Sequence, residues 1–249
     1  MEGTTLRLML VFSLVLLCSL LLSSCGYRTQ DGSPVTEPGP SQQREEMVES
    51  QLKGRGIANE LVLEAMRKVP RHLFMPPEVR QYAYIDSPVP IGAEQTISQP
   101  YIVALMTQIV DPKPQDRVLE VGTGSGYQAA VLSELVREVF TIEIIPALAQ
   151  RAGKALSELG YDGVEVRQGD GYQGWPEKAP FDIILITAAP EEIPQPLIDQ
   201  LAEGGRLVVP LGPAGDIQTL TLLTKVKGQI TRTSITSVRF VPMTGEAQR

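Results

Sequence analysis

Apolar positions recur at helical spacing through residues 45–69, at Met47, Leu52, Ile57, Leu61, Leu63, Ala65, Met66 and Val69. Gly54 and Gly56 break that run in two, so the pattern predicts a small helical lead-in made of two pieces. Residues 70–100 carry no such period and are dense in Pro, Tyr and Gly, which in a compact chain predicts a lid or binding loop. Residues 101–110 then predict a helix leading to the first strand.

From Arg117 the pattern alternates. It predicts strands over 118–121, 138–143, 163–168, 181–186 and 206–211, and helices near 128–137, over 146–159 and over 194–202. The run Phe181–Ile186 is almost wholly apolar, as a central strand buried on both faces must be. Residues 217–225 and 230–241 alternate polar and apolar with no helix between them, which predicts an antiparallel hairpin at the sheet edge. The order predicts an α/β fold with a mostly parallel sheet covered by helices on both faces. Ligands of such sheets sit beyond the carboxyl ends of the strands, which places Gly122, Glu143, Asp170 and Thr187 at one edge.

The N-terminus has its own pattern. A short polar start with Arg7 precedes an apolar segment, Leu8 to Leu22, and then Leu-Ser-Ser-Cys, which together resemble a bacterial lipoprotein signal over 1–24 with Cys25 as the lipidated residue. Residues 25–44, rich in Gly, Pro, Ser and Gln, read as a flexible tether, and 45–249 as the folded domain. Cleavage would remove Cys18 and acylation would block Cys25, leaving no thiol for a disulfide in an oxidising compartment. The expected location is the cell envelope, facing the periplasm and touching the membrane only through the lipid. Two other readings compete. One is an uncleaved anchor, although a segment of fifteen residues falls short of the ~20 that a span needs. The other is a cytoplasmic protein translated from Met47.

Composition narrows the chemistry. A formal charge of −7 argues against nucleic acid as a partner. His72 is the single histidine and both cysteines lie near the N-terminus, so no metal site is expected. The run VLEVGTGSGY, 118–127, reads as a buried strand turning into a helix through Gly122, Gly124 and Gly126. A dinucleotide fingerprint would need its third glycine at Tyr127, which disfavours a bound pyrophosphate and hence a dehydrogenase. Twenty-one positions after Gly122, the strand EVFTIE ends in Glu143, whose carboxylate can accept from two ribose hydroxyls. The pair suggests S-adenosylmethionine. Taken singly, Ser98 beside Pro100 reads as a turn residue and Asp170 between glycines as a turn former. His72 and Trp175 read as structural, the Trp packing beside the adenine-side loop, and Tyr82 and Tyr84 as packing a loop.

Over nearly all of 47–246 the chain resembles the protein-L-isoaspartate (D-aspartate) O-methyltransferase family. The resemblance rests on MVESQLKGRGI, AMRKVPRHLFMP, YIDSPVPIGAEQTISQPYIVALM, VLEVGTGSGYQAAVLSEL, GDGYQGWPEKAPFDIILITAAPEEIP, LAEGGRLVVPLGP and VRFVPMTGE. It implies a Rossmann-like, S-adenosylmethionine-dependent methyltransferase fold with a seven-stranded sheet and no metal. It also implies methylation of the free α-carboxylate of L-isoaspartyl and D-aspartyl residues, after which the ester collapses to a succinimide and partly to normal aspartate. By motif, Gly122, Thr123, Gly124 and Gly126 would surround the methionine part of the cofactor, Glu143 its ribose, and Asp170 and Gly171 its adenine. Thr96 and Ser98 would approach the cofactor and the reacting carboxylate, with Ser98 as the active-site serine, and Thr244 would complete the pocket. The partners would be isoaspartate-containing proteins and peptides, met by a monomer. Two other functions stay open at this point: an enzyme methylating a small carboxylic acid, and a lipoprotein that keeps the fold as a binding module.

Overall fold

The computed structural model describes residues 38–245. The lipoprotein signal, Cys25 and most of the expected tether lie outside the described residues. A compact unit begins at Pro40, with α1 (Pro40–Glu46). The folded part therefore reaches five residues into the stretch expected to be tether, because Pro40 opens a run of helix-compatible residues, Ser-Gln-Gln-Arg-Glu-Glu. A π-helical stretch (Met47–Leu52) and a 3-10 turn (Lys53–Arg55) follow, closed by Gly56 in the left-handed region. Helix α2 (Glu60–Lys68) is capped by Asn59, whose side chain accepts from the N–H groups of Leu61 and Val62. The expected two-piece lead-in is thus present.

Residues 70–100 hold more structure than their irregular pattern predicts. Two 3-10 turns, Arg71–Phe74 and Pro77–Tyr82, lead into a hairpin of β1 (Val89–Gly92) and β2 (Gln95–Ile97). The hairpin escapes the pattern because Pro90 interrupts β1 and the turn uses Ala93 and Glu94 at φ 51° and 57°, residues that do not signal such a turn. Arg71 is wholly buried. Its Nε donates to the Ala83 carbonyl at 2.7 Å and its guanidinium lies 4.9 Å from the Tyr127 ring centre, joining this segment to the main sheet's first helix. His72 has a structural partner, with Nδ1 2.7 Å from the Tyr84 hydroxyl; Tyr84 is buried and Tyr82 exposed.

Helix α3 (Pro100–Ile109) leads to a seven-stranded sheet. Its strands are β3 (Arg117–Val121), β4 (Glu138–Glu143), β5 (Val164–Gln168), β6 (Phe181–Ile186), β7 (Leu201–Leu211), β8 (Gln218–Val226) and β9 (Gln229–Val238). The order is β5-β4-β3-β6-β7-β8-β9; the first five are parallel, and β8 and β9 form the antiparallel edge. The helices between strands are α4 (Tyr127–Ser133), α5 (Pro146–Glu158) and α6 (Gln195–Gln200). The expected architecture holds, with shifted boundaries. Helix α4 stops four residues short of 137, because Leu135 and Val136 turn back onto the Leu132 carbonyl to feed β4. Strand β7 starts at Leu201 rather than 206, with an irregularity against β6 that absorbs Gly204 and Gly205. Strand β9 ends at Val238, and the residues after it cross toward β6.

Side-chain alternation sorts the sheet into two faces. Val118, Val139, Ile183, Leu185 and Val208 pack against α3 and α4, while Leu119, Val121, Phe140, Ile184 and Leu207 pack against Leu197, Tyr172 and Trp175. Trp175 meets Phe140 edge-on at 5.7 Å, confirming its structural role. Chain order reverses between β3 and β6, and a cleft opens beyond their carboxyl ends.

Candidate active site

The cleft starts at Gly122, immediately after β3. Gly122 has φ 100°, and a Cβ there would overlap Thr187 Oγ1 from the end of β6. Thr187 Oγ1 in turn donates to the carbonyls of Val121 and Gly122, at 3.0 and 2.7 Å, so the glycine loop and β6 are stitched together at the switch point. The N–H groups of Gly122 and Thr123 both donate to the Ile142 carbonyl, which ties the loop to β4 as well.

Glu143 ends β4 and faces the loop. It is buried; Oε2 accepts from the Gly124 N–H at 2.7 Å and Oε1 from the Ile145 N–H at 2.9 Å. Each oxygen of a carboxylate accepts two hydrogen bonds, so both retain capacity for hydroxyl donors in the cleft. The opposite wall comes from the β1–β2 hairpin. Ile91 packs on Gly124, the Ile91 carbonyl accepts from Arg151 of α5 at 2.6 Å, and Thr96, Ile97 and Ser98 line the opening. The segment after β9 forms the roof: the Ala189 N–H donates to the Val241 carbonyl, the Met243 N–H donates to the Ala189 carbonyl, both at 2.8 Å, and Thr244 reaches the cleft.

A second cleft adjoins the first and shares Thr96, Ser98, Thr187 and Val241 with it. Its far walls carry Arg55, Tyr101 and Arg239. Ser98 stands where the two clefts meet.

The model of a family described as "Protein-L-isoaspartate(D-aspartate) O-methyltransferase (PCMT)" matches residues 42–248. The chain belongs to this family. It is 58% identical over 200 residues to the protein-L-isoaspartate O-methyltransferase of Gloeobacter violaceus, covering 80% of this chain and 98% of the relative. It is 57% identical over 210 residues to that of Opitutus terrae, covering 84% and 90%. Among solved structures, a Plasmodium falciparum protein-L-isoaspartate O-methyltransferase in complex with S-adenosyl-L-homocysteine superposes with a TM-score of 0.71 at 28% identity, covering 81% of this chain and 98% of that one.

Membership in this family makes the chain an S-adenosylmethionine-dependent repair methyltransferase acting on isoaspartyl residues, as its motifs imply. Of the residues expected in the site, the first cleft brings together Thr96, Ser98, Gly122, Thr123, Gly124, Glu143, Gly171 and Thr244. Gly126 stands at the N-cap of α4 behind the loop, packed on Leu156 of α5, and does not line the cleft. Asp170 also stands back from the wall: Oδ1 accepts from the Tyr172 N–H at 2.9 Å and the side chain packs against Gly245, while Gly171 supplies the cleft surface. A Cβ on Gly171 would overlap Val121 Cγ1, so this approach requires glycine.

Sequence reasoning passed over Glu120. It lines the cleft from β3, is fully buried, and accepts from Thr141 Oγ1 at 2.5 Å through Oε2; Thr141 is 2.7 Å from Thr123 Oγ1. Oε1 has no partner among the described residues. Burial, and to a lesser degree the nearby Glu143, push its carboxyl up to about 8, against the lowering effect of the Thr141 bond. The signal was available, since Glu120 is the one charged residue inside the apolar run 118–121.

Proposed function

We propose that the first cleft holds S-adenosylmethionine and the second admits the damaged peptide, with Ser98 between the cofactor and the carboxylate to be methylated. The residues fit such a cofactor. Glu143 keeps acceptor capacity on both oxygens for a ribose, and the loop at Gly122, Thr123 and Gly124 presents backbone without side-chain bulk for the methionine part. Gly126 sets the bend behind that loop. Gly171 forms the adenine end, with Asp170 holding the turn beneath it through Tyr172. Thr96 and Thr244 close the reacting end.

The cofactor supplies an electrophilic methyl group on a sulfonium sulfur. The nucleophile is the isoaspartyl α-carboxylate, whose reference pKa of roughly 3.5 leaves it ionised near neutrality, so no general base is needed. The transfer would balance without a proton, since an O–CH3 bond would replace the C–S bond and the electron pair of that bond would stay on sulfur. The protein's task is to align oxygen, carbon and sulfur and to exclude water, an arrangement worth ~7–11 kcal/mol in favourable intramolecular cases. The Ser98 hydroxyl orients the carboxylate; its Oγ makes no hydrogen bond among the described residues and is free to donate.

The observation that carries this reading is that Ser98 and Thr96 line both clefts. It is tested with an isoaspartyl peptide and its aspartyl twin. Methyl transfer is expected to the first alone, and Ser98→Ala should lower kcat while leaving cofactor affinity unchanged. Wild-type turnover in that variant removes Ser98 from the site.

We further propose that the enzyme is an envelope lipoprotein anchored through Cys25, acting as a monomer and without nucleic acid. The order of apolar segment, Leu-Ser-Ser-Cys and polar tether supports the anchor, and the charge of −7 supports indifference to nucleic acid. Labelled fatty acid should enter the membrane-fractionated protein and be lost in Cys25→Ser. A soluble, unlabelled wild-type protein starting at Met47 refutes the anchor.

A further inference from the structure

Asp86 lies in the stretch between the second 3-10 turn and β1, outside the groups assigned to the site, and its side chain is 19% exposed. Three groups converge on it. Oδ1 accepts from the Tyr101 N–H at 3.1 Å, Oδ2 accepts from Gln99 Nε2 at 2.7 Å, and Arg55 Nη1 donates to the same Oδ2. Arg55 also lies over Tyr101, its guanidinium carbon 3.7 Å from the ring centre.

The location gives the cluster its meaning. Helix α3 begins at Pro100, which has no N–H, and its N-cap, Gln99, makes no side-chain cap. Tyr101 is therefore the first donor at that helix end in need of a partner, and Asp86 supplies it from fifteen residues upstream. Ser98 directly precedes Gln99. On its other side, Ile97 pairs with Val89 in the hairpin. With no hydrogen bond on its own hydroxyl, Ser98 is aimed solely by its backbone, held at one end by the hairpin and at the other by Asp86. The same carboxylate fixes Arg55 and Tyr101, which wall the second cleft beside Ser98.

We propose that Asp86 is a positioning residue for methyl transfer: it clamps the turn that aims Ser98 and sets the Arg55–Tyr101 wall against which the peptide lies. This rests on the reading of Ser98 as the group that orients the carboxylate. Misplacement of a reacting group by ~1 Å costs up to ~100-fold, so loosening the clamp should be visible in kcat.

The test is a double-mutant cycle of Asp86→Asn and Ser98→Ala in the full chain, measuring kcat and KM with an isoaspartyl peptide, cofactor Kd by calorimetry, and Tm. Asparagine keeps an acceptor for Tyr101 but cannot satisfy all three donors. Asp86→Asn alone is expected to lower kcat about tenfold with cofactor Kd within about twofold, and to lower it by less than about twofold in the Ser98→Ala background, since coupled residues are non-additive. Should Asp86→Asn fail to fold, Gln99→Ala severs one arm of the clamp and is expected to lower kcat about threefold with the same non-additivity. If the two losses multiply in full, or if the clamp variant turns over like wild type, the positioning role is overturned while Ser98 stands. If Ser98→Ala itself turns over like wild type, the Ser98 reading fails first and Asp86 has nothing to position.

Discussion

The Gly124 N–H donates to Glu143 Oε2 at 2.7 Å, so the side chain expected to hold the ribose is also the fastener of the glycine loop. The Ile145 N–H on the other oxygen completes the arrangement. One buried carboxylate thus shapes the cleft and keeps acceptor capacity at the place proposed for the cofactor. Glu143→Gln turns one oxygen into an NH2 donor facing a backbone N–H, which disrupts loop and ligand contact together. Cofactor affinity should weaken by ~1.5–3 kcal/mol, roughly 10- to 150-fold in Kd. Titration calorimetry returning the wild-type Kd would remove Glu143 from the cofactor site.

Gly122 and Thr187 make a second pair in which space decides the outcome. A Cβ at position 122 overlaps Thr187 Oγ1, and φ 100° is unfavourable for any side chain. Gly122→Ala should destabilise the protein by ~1–3 kcal/mol and weaken cofactor binding. Adding Thr187→Ala removes the clashing oxygen and should recover part of the stability, leaving the backbone strain. Thermal melts of the two variants that coincide would show that the clash is not what matters.

Glu120 makes stability depend on pH in a direction opposite to that of a salt-bridged acid. Its carboxyl is raised to about 8 from an ordinary 4.5, so below 4.5 it is protonated whether the chain is folded or not. Between 4.5 and about 8 the folded protein holds a proton that the unfolded chain has released, and stability falls as pH rises through this window. Glu120→Gln keeps the shape and removes the titration. Its Tm should gain on the wild type progressively from acid to mildly alkaline pH. Melting curves that stay parallel over that range would contradict a buried, protonated Glu120.

Much of the site was legible because local chemistry forced it. A buried strand followed by three glycines and an acid at the end of the next strand can be read without coordinates, since each residue does its work within its own turn. The β1–β2 hairpin was not legible: Pro90 hides the strand, and Ala93 and Glu94 occupy positive φ without a glycine to announce it. Asp86 gave no sign either, because its three donors lie at positions 55, 99 and 101, brought together by the fold of an irregular stretch.

The amino-acid order alone determined the parallel sheet, its antiparallel edge and the cofactor class, because periodicity of burial and the steric demand for glycine are local properties of a chain. Tertiary structure decided which polar groups meet across distant segments. Ser98 lies between two clefts, Glu120 is fully buried, Asp170 accepts from the Tyr172 N–H, and Asp86 holds a helix that begins fourteen residues later. Burial and hydrogen-bond partnership depend on what the rest of the chain places around a residue, and no window of sequence contains that.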